Sequence, residues 1–251
     1  MKKITPAAIL RARALEALKA TWPIVLAGSA LINLASYVLN QVVGVIPVLG
    51  AFLSILATAL LMVPMMGLTK GVLGYYRGKS LTLDSMKAMF PHWQKVCMLY
   101  LWTMLCLVGW MLAGVGVGVV LSLICALLDS SGGMSMIGVA VGMIVMIVLI
   151  IRASLNYSMA QCILIDDPST GARDALKKSK AMIRGYRWHY VKVGLPVFII
   201  PFAAIFVIGA LTAALPVWLA SLISSVMAIF TGMFSYYFMP VMYEELKRIG
   251  R

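Results

Sequence analysis

The sequence contains little charge, and above all little negative charge. Its 251 residues include only eight Asp and Glu side chains, and charged residues make up 12% of the chain. Soluble domains are typically about 25% charged. A chain that is 63% hydrophobic, with a mean hydropathy of +1.00, would expose large apolar patches in water. The composition therefore excludes an ordinary soluble domain and predicts an integral membrane protein.

Residues that usually carry catalysis are also scarce. The chain has two histidines, His92 and His189, and four cysteines without a CxxC pair. It contains no HExxH, GxSxG or Walker A motif. We therefore expect no enzyme activity, no metal site and no cofactor. The histidines are interpreted as polar residues at the membrane interface, and the cysteines as small buried hydrophobic residues.

Long apolar runs, by contrast, are abundant. Six of them are long enough to cross a bilayer as helices of about 20 residues, and helices satisfy the backbone hydrogen bonds in hydrocarbon. The strands of a membrane barrel would alternate polar and apolar residues, which these runs do not. The predicted spans are Trp22–Asn40, Pro47–Thr69, Val96–Leu128, Met134–Ile151 (or on to Leu164), Val191–Ala214 and Pro216–Met242.

The positive charges fall on one side of these spans. The connections around residues 40–46 and 208–215 carry no charged side chain, and the connection around 129–133 carries only Asp129. Because Lys and Arg accumulate on the cytoplasmic side of membrane proteins, both termini are predicted to be cytoplasmic. The net charge of +13 then belongs to one face. We expect that face to attract anionic lipids or a protein partner, and not nucleic acid.

Three similar units follow one another along the chain. The stretches KATW, KAMFPHW and KAMIRGYRWHY precede the first, third and fifth spans, so that Trp22, Trp93 and Trp188 would lie at the cytoplasmic interface. The even spans contain GVLGYY, ASLNYS and GMFSYY, each with an acidic residue nine positions after a tyrosine. These pairs are Tyr75 with Asp84, Tyr157 with Asp166, and Tyr236 with Glu245. The pattern predicts a tandem repeat.

We therefore predict an all-α membrane protein with six transmembrane helices in three tandem hairpins, each preceded by a cytoplasmic amphipathic helix. The segments of this single domain are the N-terminal amphipathic helix (1–21), hairpin 1 (22–69), a cytoplasmic connection (70–95), hairpin 2 (96–164), a cytoplasmic basic helix (165–190), hairpin 3 (191–243) and a cytoplasmic tail (244–251).

The three amphipathic helices have recognisable ends. They are predicted over Pro6–Ala20, Leu83–Phe90 and Thr170–Arg184. In the first, Leu10, Leu15 and Leu18 are expected to face lipid. The expected capping residues are Thr5, Thr82 and either Ser169 or Thr170 as N-caps, and Gly185 as a C-cap.

Residues 166–192, DDPSTGARDALKKSKAMIRGYRWHYVK, combine an acidic turn, an "A…S…M.G" helix and an aromatic entry into the fifth span. The residues of this pattern are Asp166, Asp167, Ala175, Ser179, Met182, Gly185 and Trp188. The pattern resembles the hallmark of a bacterial family of small, uncharacterised six-span membrane proteins. RARALEALKATW and LGYYRGKSLTLDSMKAMF are similar to other segments of that family. The resemblance implies the six-span topology and a bacterial inner membrane, but no reaction, since the family is a domain of unknown function.

Two cations lie in or beside the predicted spans. Lys70 and Arg152 stand five residues before the repeat tyrosine, and Asn156 and Gln161 follow along the fourth span. Ionisable groups within spans are costly and are candidates for function. These four residues are therefore a candidate site for a lipid phosphate or another anion. The alternative is snorkelling, in which a long side chain reaches the interface without a ligand.

Glycines spaced four residues apart are predicted to mark helix packing, because small residues let backbones approach closely. A substrate path along these glycines is the alternative. The spaced pairs are Gly67 and Gly71, Gly114 and Gly118, and Gly138 and Gly142.

The basic helix after the fourth span is a candidate docking surface. Its apolar residues are expected to rest on lipid or protein, and its cations to face anionic lipid or a partner protein. The apolar residues are Ala172, Ala175, Leu176, Met182 and Ile183. The cations are Arg173, Lys177, Lys178, Lys180, Arg184 and Arg187.

Two functions fit these patterns. The first is a non-enzymatic scaffold, accessory or immunity-type membrane component whose basic face binds anionic lipid or a protein. The second is a permease or lipid-handling transporter with an anion site in the cytoplasmic half of the bundle. A transporter should show a cavity that reaches Lys70 and Arg152, whereas a scaffold should form a closed bundle.

Overall fold

The computed structural model of the chain describes residues 4–44, 49–128, 133–194 and 216–250. These ranges are mostly helical and contain no strand, which confirms the all-α class. The elements are α1 (Ala7–Gly44), α2 (Leu49–Tyr76), a 3₁₀ helix (Leu83–His92), α3 (Trp93–Leu128), α4 (Gly133–Tyr157), α5 (Ala160–Asp166), α6 (Ala172–Ile183), α7 (187–194) and α8 (Val217–Gly250).

Within the described ranges, four helical stretches are long and apolar enough to cross a membrane. They are Ala7–Leu39, Leu53–Tyr76, Leu83–Leu127 and Met136–Asp166. They overlap the first four predicted spans and indicate a membrane protein. Exposed leucines on α3 agree with this, since Leu112 is 61% exposed and Leu127 is 88% exposed. Exposing these side chains to water would cost free energy, whereas exposing them to lipid would not. The fifth predicted span lies mostly outside the described residues, and the sixth falls within α8.

One end of the bundle brings both ends of the chain together. The backbone N–H of Thr5 donates to Glu245 Oε1 at 2.8 Å, so α1 begins where α8 ends. Tyr243 of α8 donates to Asp166 Oδ2 at 2.8 Å, so α5 ends there as well. We call this the basal end.

The buried core described by the structure lies towards the basal end. It takes the early residues of α1 and α3, the late residues of α2 and α8, and most of α5. Its largest fully buried side chains include Leu10, Leu73, Met159, Leu164, Tyr237 and Met242. Beyond this core, α3 and α4 continue with their apolar side chains largely exposed.

The first amphipathic segment and the first span are one helix. α1 continues from Ala7 to Gly44 with Pro23 inside it. Leu10 is 1% exposed and belongs to the core, with Ala14 and Ala17 on the same face. The prediction that Leu10 faces lipid is therefore wrong, because the bundle and not the bilayer covers this side of the helix.

The break between α4 and α5 is filled by a side chain from α6. Ser179, which is fully buried, donates to the carbonyl oxygen of Asn156 at 2.7 Å and accepts from the backbone N–H of Met159 at 3.1 Å. The hydroxyl thus satisfies one free acceptor and one free donor where the helical hydrogen bonds are interrupted. This contact gives a structural reason for the serine in the "A…S…M.G" pattern.

Both ends of α6 differ from the prediction. The N-cap is Gly171, and the hydroxyls of Ser169 and Thr170 instead donate to the Asp167 carboxylate, so both proposed N-caps are wrong. At the other end the C-cap is Arg184. The predicted C-cap, Gly185, follows Arg184 and has φ +91°, the left-handed conformation that glycine favours just beyond a helix C-terminus. Thr82 occupies the N-cap position of the 3₁₀ helix without a side-chain hydrogen bond.

Glycines bring α3 and α4 into backbone contact. A Cβ atom at Gly118 would lie 3.2 Å from the Gly142 Cα, and one at Gly142 would lie 3.0 Å from the Gly118 nitrogen. A Cβ at Gly138 would lie 2.7 Å from the backbone of Ser122. No side chain fits between the helices at these positions, and the close approach maximises van der Waals packing.

We expect Gly142→Ala to destabilise the protein, because the new methyl group meets backbone that cannot move aside. Overpacking of this kind costs about 1–3 kcal/mol. Gly116→Ala, at a position with open space around it, is the matched control and should be neutral or slightly stabilising, since alanine favours the helix. Thermal unfolding in detergent measures both variants. Equal melting temperatures for the two would contradict the contact.

Candidate functional site

A carboxylate at the basal end is held by donors from two other helices. Asp166, whose side chain is 11% exposed, forms a bidentate pair with Arg77, with Nη1–Oδ1 at 2.7 Å and Nη2–Oδ2 at 3.0 Å. Tyr243 and Lys247 of α8 also donate to Asp166. Two cations therefore neutralise one carboxylate and join the ends of α2, α5 and α8. We call Arg77, Asp166, Tyr243, Glu244 and Lys247 the basal network.

Glu244 extends the basal network on the outer side. Its Oε1 accepts from Arg77 Nε at 2.7 Å. Arg77 thus uses three nitrogens on two carboxylates from different helices, which its planar fork permits and a lysine would not. The fixed geometry sets the distance between α5 and α8 at this end.

A second ionic contact ties the two ends of the chain. Glu245, which is 3% exposed, accepts from the Thr5 backbone N–H and from Arg248 at 2.6 Å. Burial opposes ionisation of this carboxyl, but the hydrogen bonds from Arg248 and Thr5 outweigh it and lower the pKa of Glu245 to about 2. Thr5, which was predicted to cap α1, therefore contacts α8 through its backbone N–H.

The chain reverses direction directly after α2. Gly78 has φ +82°, its N–H donates to Tyr75 O at 3.0 Å, and the Lys79 N–H donates to Gly74 O at 2.9 Å. This pair of bonds is a Schellman motif, which needs a left-handed residue at the position of Gly78. The turn sends residues 79–82 back along α2.

The returning chain lies on the glycine face of α2. A Cβ atom at Gly67 would lie 2.7 Å from the backbone of Met86, and one at Gly71 would lie 2.8 Å from Ser85 Cβ. The predicted packing glycines of the second span, Gly67 and Gly71, therefore pack against the 3₁₀ helix that follows α2. Larger residues would push that helix away from α2.

A cavity of about 270 Å³ remains between α2, the returning chain and the end of α5. We call it the Lys70 cavity. The Nζ of Lys70 lies in it and donates to Ala88 O at 3.3 Å. The other polar side chains that line it are Arg77, Lys79, Ser80, Ser85 and Asp166. Hydroxyls and cations outnumber carboxylates here, a set that suits an anion.

A larger cleft of about 900 Å³ opens on the other side of the basal network. It is lined by four cations and two carboxylates, together with Tyr76 and Val241. The charged residues are Arg13, Arg77, Glu244, Glu245, Lys247 and Arg248. Arg77 lines both spaces, so the basal network separates the cleft from the Lys70 cavity.

The predicted anion-site residues have different surroundings. Only Lys70 lines the Lys70 cavity. Arg152 is exposed on α4, Gln161 is half-buried on α5, and Asn156 is buried beside Ser179. The Oδ1 atom of Asn156 is buried without a hydrogen-bond partner. A shared role of these four residues in anion binding stays a prediction.

The basic helix α6 packs its apolar face on its own bundle. Ala172, Ala175, Leu176 and Ile183 are buried, and α6 contacts α3, α4 and α5. The expected contact of this face is therefore made with the same chain, which leaves it unavailable to a bilayer or a partner.

The cations of α6 divide into two groups. The Arg173 guanidinium lies 4.7 Å from the Trp102 ring centroid, a cation–π contact, and Lys178 donates to Thr170 at 3.1 Å. Lys177, Lys180 and Arg184 are exposed, as Arg173 and Lys178 are, and Lys177 also pairs with Asp174 at 3.8 Å. Lys177, Lys180 and Arg184 form what we call the outward charge of the helix.

Sequence reasoning missed the basal network and Lys79. The signal was present in the scarcity of carboxylates: with eight acids among 21 Lys and Arg residues, each acid near a helix end is expected to attract several cations. The repeat pattern had already singled out Asp166 and Glu245. It aligned them with Asp84, however, which is exposed and which, among the residues that the structure describes, pairs only with Lys87 three residues on.

Groups that hold metals do not cluster within the described ranges. No set of three His, Cys, Asp or Glu side chains there lies close enough to bind a metal ion. All four cysteines are free, and Cys162 is fully buried.

The Glu245 contact predicts a pH dependence of stability. Its pKa falls from 4.5 to about 2 on folding, so its contribution, on the order of 3 kcal/mol at neutral pH, is complete above pH 4.5 and lost as the pH falls towards 2. Glu245→Gln should lower the melting temperature at pH 7, and its difference from the wild type should narrow below pH 4.

The control for this experiment is Glu16→Gln, since Glu16 is exposed on α1 and has no ion pair among the described residues. A Glu245→Gln variant that matched Glu16→Gln at every pH would contradict the assigned contact.

Comparison with known proteins places the chain in a family. The model of a family described as "Protein of unknown function (DUF975)" matches residues 5–242. No curated protein matches the chain, and no solved structure matches it. The resemblance inferred from the segment after the fourth span is thus confirmed at the level of an uncharacterised family. The chain belongs to the DUF975 family of proteins of unknown function.

Proposed function

We propose that the chain is a non-enzymatic membrane protein whose basic cytoplasmic face binds anionic lipid, with a scaffold or accessory role at the bacterial inner membrane. Six spans form three tandem hairpins that all enter from the cytoplasm. The described helices supply four of these spans. α7 begins the fifth and α8 contains the sixth.

One observation supports this arrangement more than any other: helices begin and end in alternation at the basal end. α2, α5 and α8 end in the basal network. α1 begins beside Glu245, and α3 begins near the turn after α5, where Lys95 Nζ donates to Pro168 O at 2.6 Å. Arg11 of α1 donates to Lys192 O at 2.9 Å, which brings α7 to the same end. This is the pattern that three hairpins from one side require.

The ion pairs favour the cytoplasm for that end. Every ion pair among the described residues belongs to the basal network, the chain termini, the 3₁₀ helix or α6 with its preceding turn. Cations outnumber acids there, and such an excess marks the cytoplasmic side. Since the apolar face of α6 is covered, its exposed cations act on lipid by charge alone, at about 1 kcal/mol per residue near an anionic surface.

A permease or lipid-handling function is the second candidate. The Lys70 cavity favours it, because it brings a cation of the second span to a space beside the helix ends. A transporter needs a path from such a space through the bundle. Uptake of candidate anions into vesicles that contain the purified chain would distinguish this function from a scaffold.

Anionic lipid that copurifies with the chain tests the first function. The wild type, extracted in mild detergent, should be enriched in anionic over zwitterionic lipid relative to the membrane. A triple variant, Lys177→Gln, Lys180→Gln and Arg184→Gln, removes the outward charge of α6 and should lower the enrichment at least twofold. Quantitative lipid mass spectrometry measures the ratio. A wild type with the bulk lipid ratio would refute lipid binding by the basic face.

A further inference from the structure

We propose that the Lys70 cavity binds a phosphate group through Lys70 and Lys79, with the hydroxyls of Ser80 and Ser85 as additional donors. The group belongs either to an anionic lipid headgroup or to a soluble phosphate. The lipid source rests on the proposed function, whereas the soluble source does not.

The first argument is the charge left over inside the cavity. Asp166 is the only carboxylate among its lining residues, and Arg77 and Lys247 already compensate it. Lys70 and Lys79 have no carboxylate within ion-pair distance in the part of the chain that the structure describes. Their two positive charges are uncompensated and can balance the charge of roughly −1.5 to −2 on a phosphate monoester near neutral pH, or the single charge of a phosphodiester headgroup.

The second argument is the shape of the backbone around these cations. The Schellman turn at Gly78 places Lys79 beside α2, where a Cβ atom at Gly74 would lie 3.7 Å from Lys79 Cβ. The stem of Lys79 thus packs on the surface of α2. Lys70, nine residues earlier on the same helix, lines the same cavity. Two cations from opposite sides of a turn therefore converge on one space.

The third argument is the set of neutral donors. Ser80 follows Lys79 on the returning chain, and Ser85 lies on the 3₁₀ helix, which Gly71 allows close to α2. Lys70 donates one of its three ammonium hydrogens to Ala88 O at 3.3 Å. This bond orients the ammonium group and leaves two N–H donors for a ligand. Charge-assisted bonds from ammonium groups, supplemented by hydroxyls, are a usual way of holding a phosphate.

Access is from the basal surface. Lys79 and Ser80 are exposed, whereas Lys70 and Ser85 are half-buried. A headgroup at the interface or an anion from solution therefore meets Lys79 first and Lys70 further in.

The test compares two double variants of the full chain that lose the same charge. Lys70→Gln with Lys79→Gln removes the cations of the cavity. The control variant, Lys19→Gln with Lys192→Gln, removes two exposed cations outside the cavity and outside α6. One arm adds inorganic phosphate to the chain in detergent at constant ionic strength, with chloride as the reference. The other arm compares nanodiscs of phosphatidylcholine with nanodiscs that also contain phosphatidylglycerol. The melting temperature is the readout in both arms.

In at least one arm, the wild type and the control variant should gain about 3 °C or more, and the cavity variant should lose most of that gain. Gain with inorganic phosphate identifies a soluble ligand, and gain with phosphatidylglycerol alone identifies a headgroup. If the double variant does not fold, Lys79→Gln at its exposed position replaces it and should lose part of the gain.

The proposal is overturned if the cavity variant gains as much as the control variant, or if neither probe stabilises the wild type. These outcomes are separable from failure of the proposed function. A loss of the inorganic phosphate effect in the cavity variant, with no lipid enrichment on the wild type, would keep the site and remove the lipid role. If instead lipid enrichment depends on the cations of α6 and the cavity variant is stabilised as much as the control variant, the lipid role would stand and the cavity site would be removed.

Discussion

Burying a carboxylate at the end of a helix is costly unless cations compensate its charge, and Asp166 meets this constraint through two helices at once. Arg77 comes from the end of α2, and Tyr243 and Lys247 come from the end of α8. Removing Arg77 or Lys247 would leave this largely buried carboxylate with a single cation. The basal network therefore fixes which helix ends meet, and the core, both cavities and the contact between the chain termini are arranged around it.

Glycines at the basal end determine the shape of the Lys70 cavity. Gly67 and Gly71 let the 3₁₀ helix lie directly on α2, and Gly78 supplies the left-handed turn that returns the chain. The Lys70 cavity is the space that remains between those elements. At the other side of the molecule, glycines join α3 to α4 while their remaining surfaces expose apolar side chains. The fold thus combines a closely packed polar end with helices suited to hydrocarbon.

The sequence predicted most of the helical segments, four of the spans and the family, because hydropathy and short motifs depend only on residues close together in the chain. It predicted a glycine at the end of α6, because a left-handed residue there is a local requirement, although the C-cap itself is Arg184 and Gly185 follows it. It misplaced Leu10 and the N-cap of α6, where tertiary contacts decide: the bundle covers Leu10, and Asp167 takes the hydroxyl of Thr170. The cavity was beyond sequence reasoning, because Lys79 reaches it only through a chain reversal.

The central claim is that the basal end faces the cytoplasm and that every hairpin enters from there. Labelling with a membrane-impermeant maleimide tests it most directly, in a chain whose four native cysteines are replaced by alanine. Lys79→Cys and Lys177→Cys should stay unlabelled in intact cells and react once the membrane is opened, whereas Ser130→Cys, in the predicted outer connection, should react in intact cells. Labelling of Lys79→Cys or Lys177→Cys from outside intact cells would contradict the account.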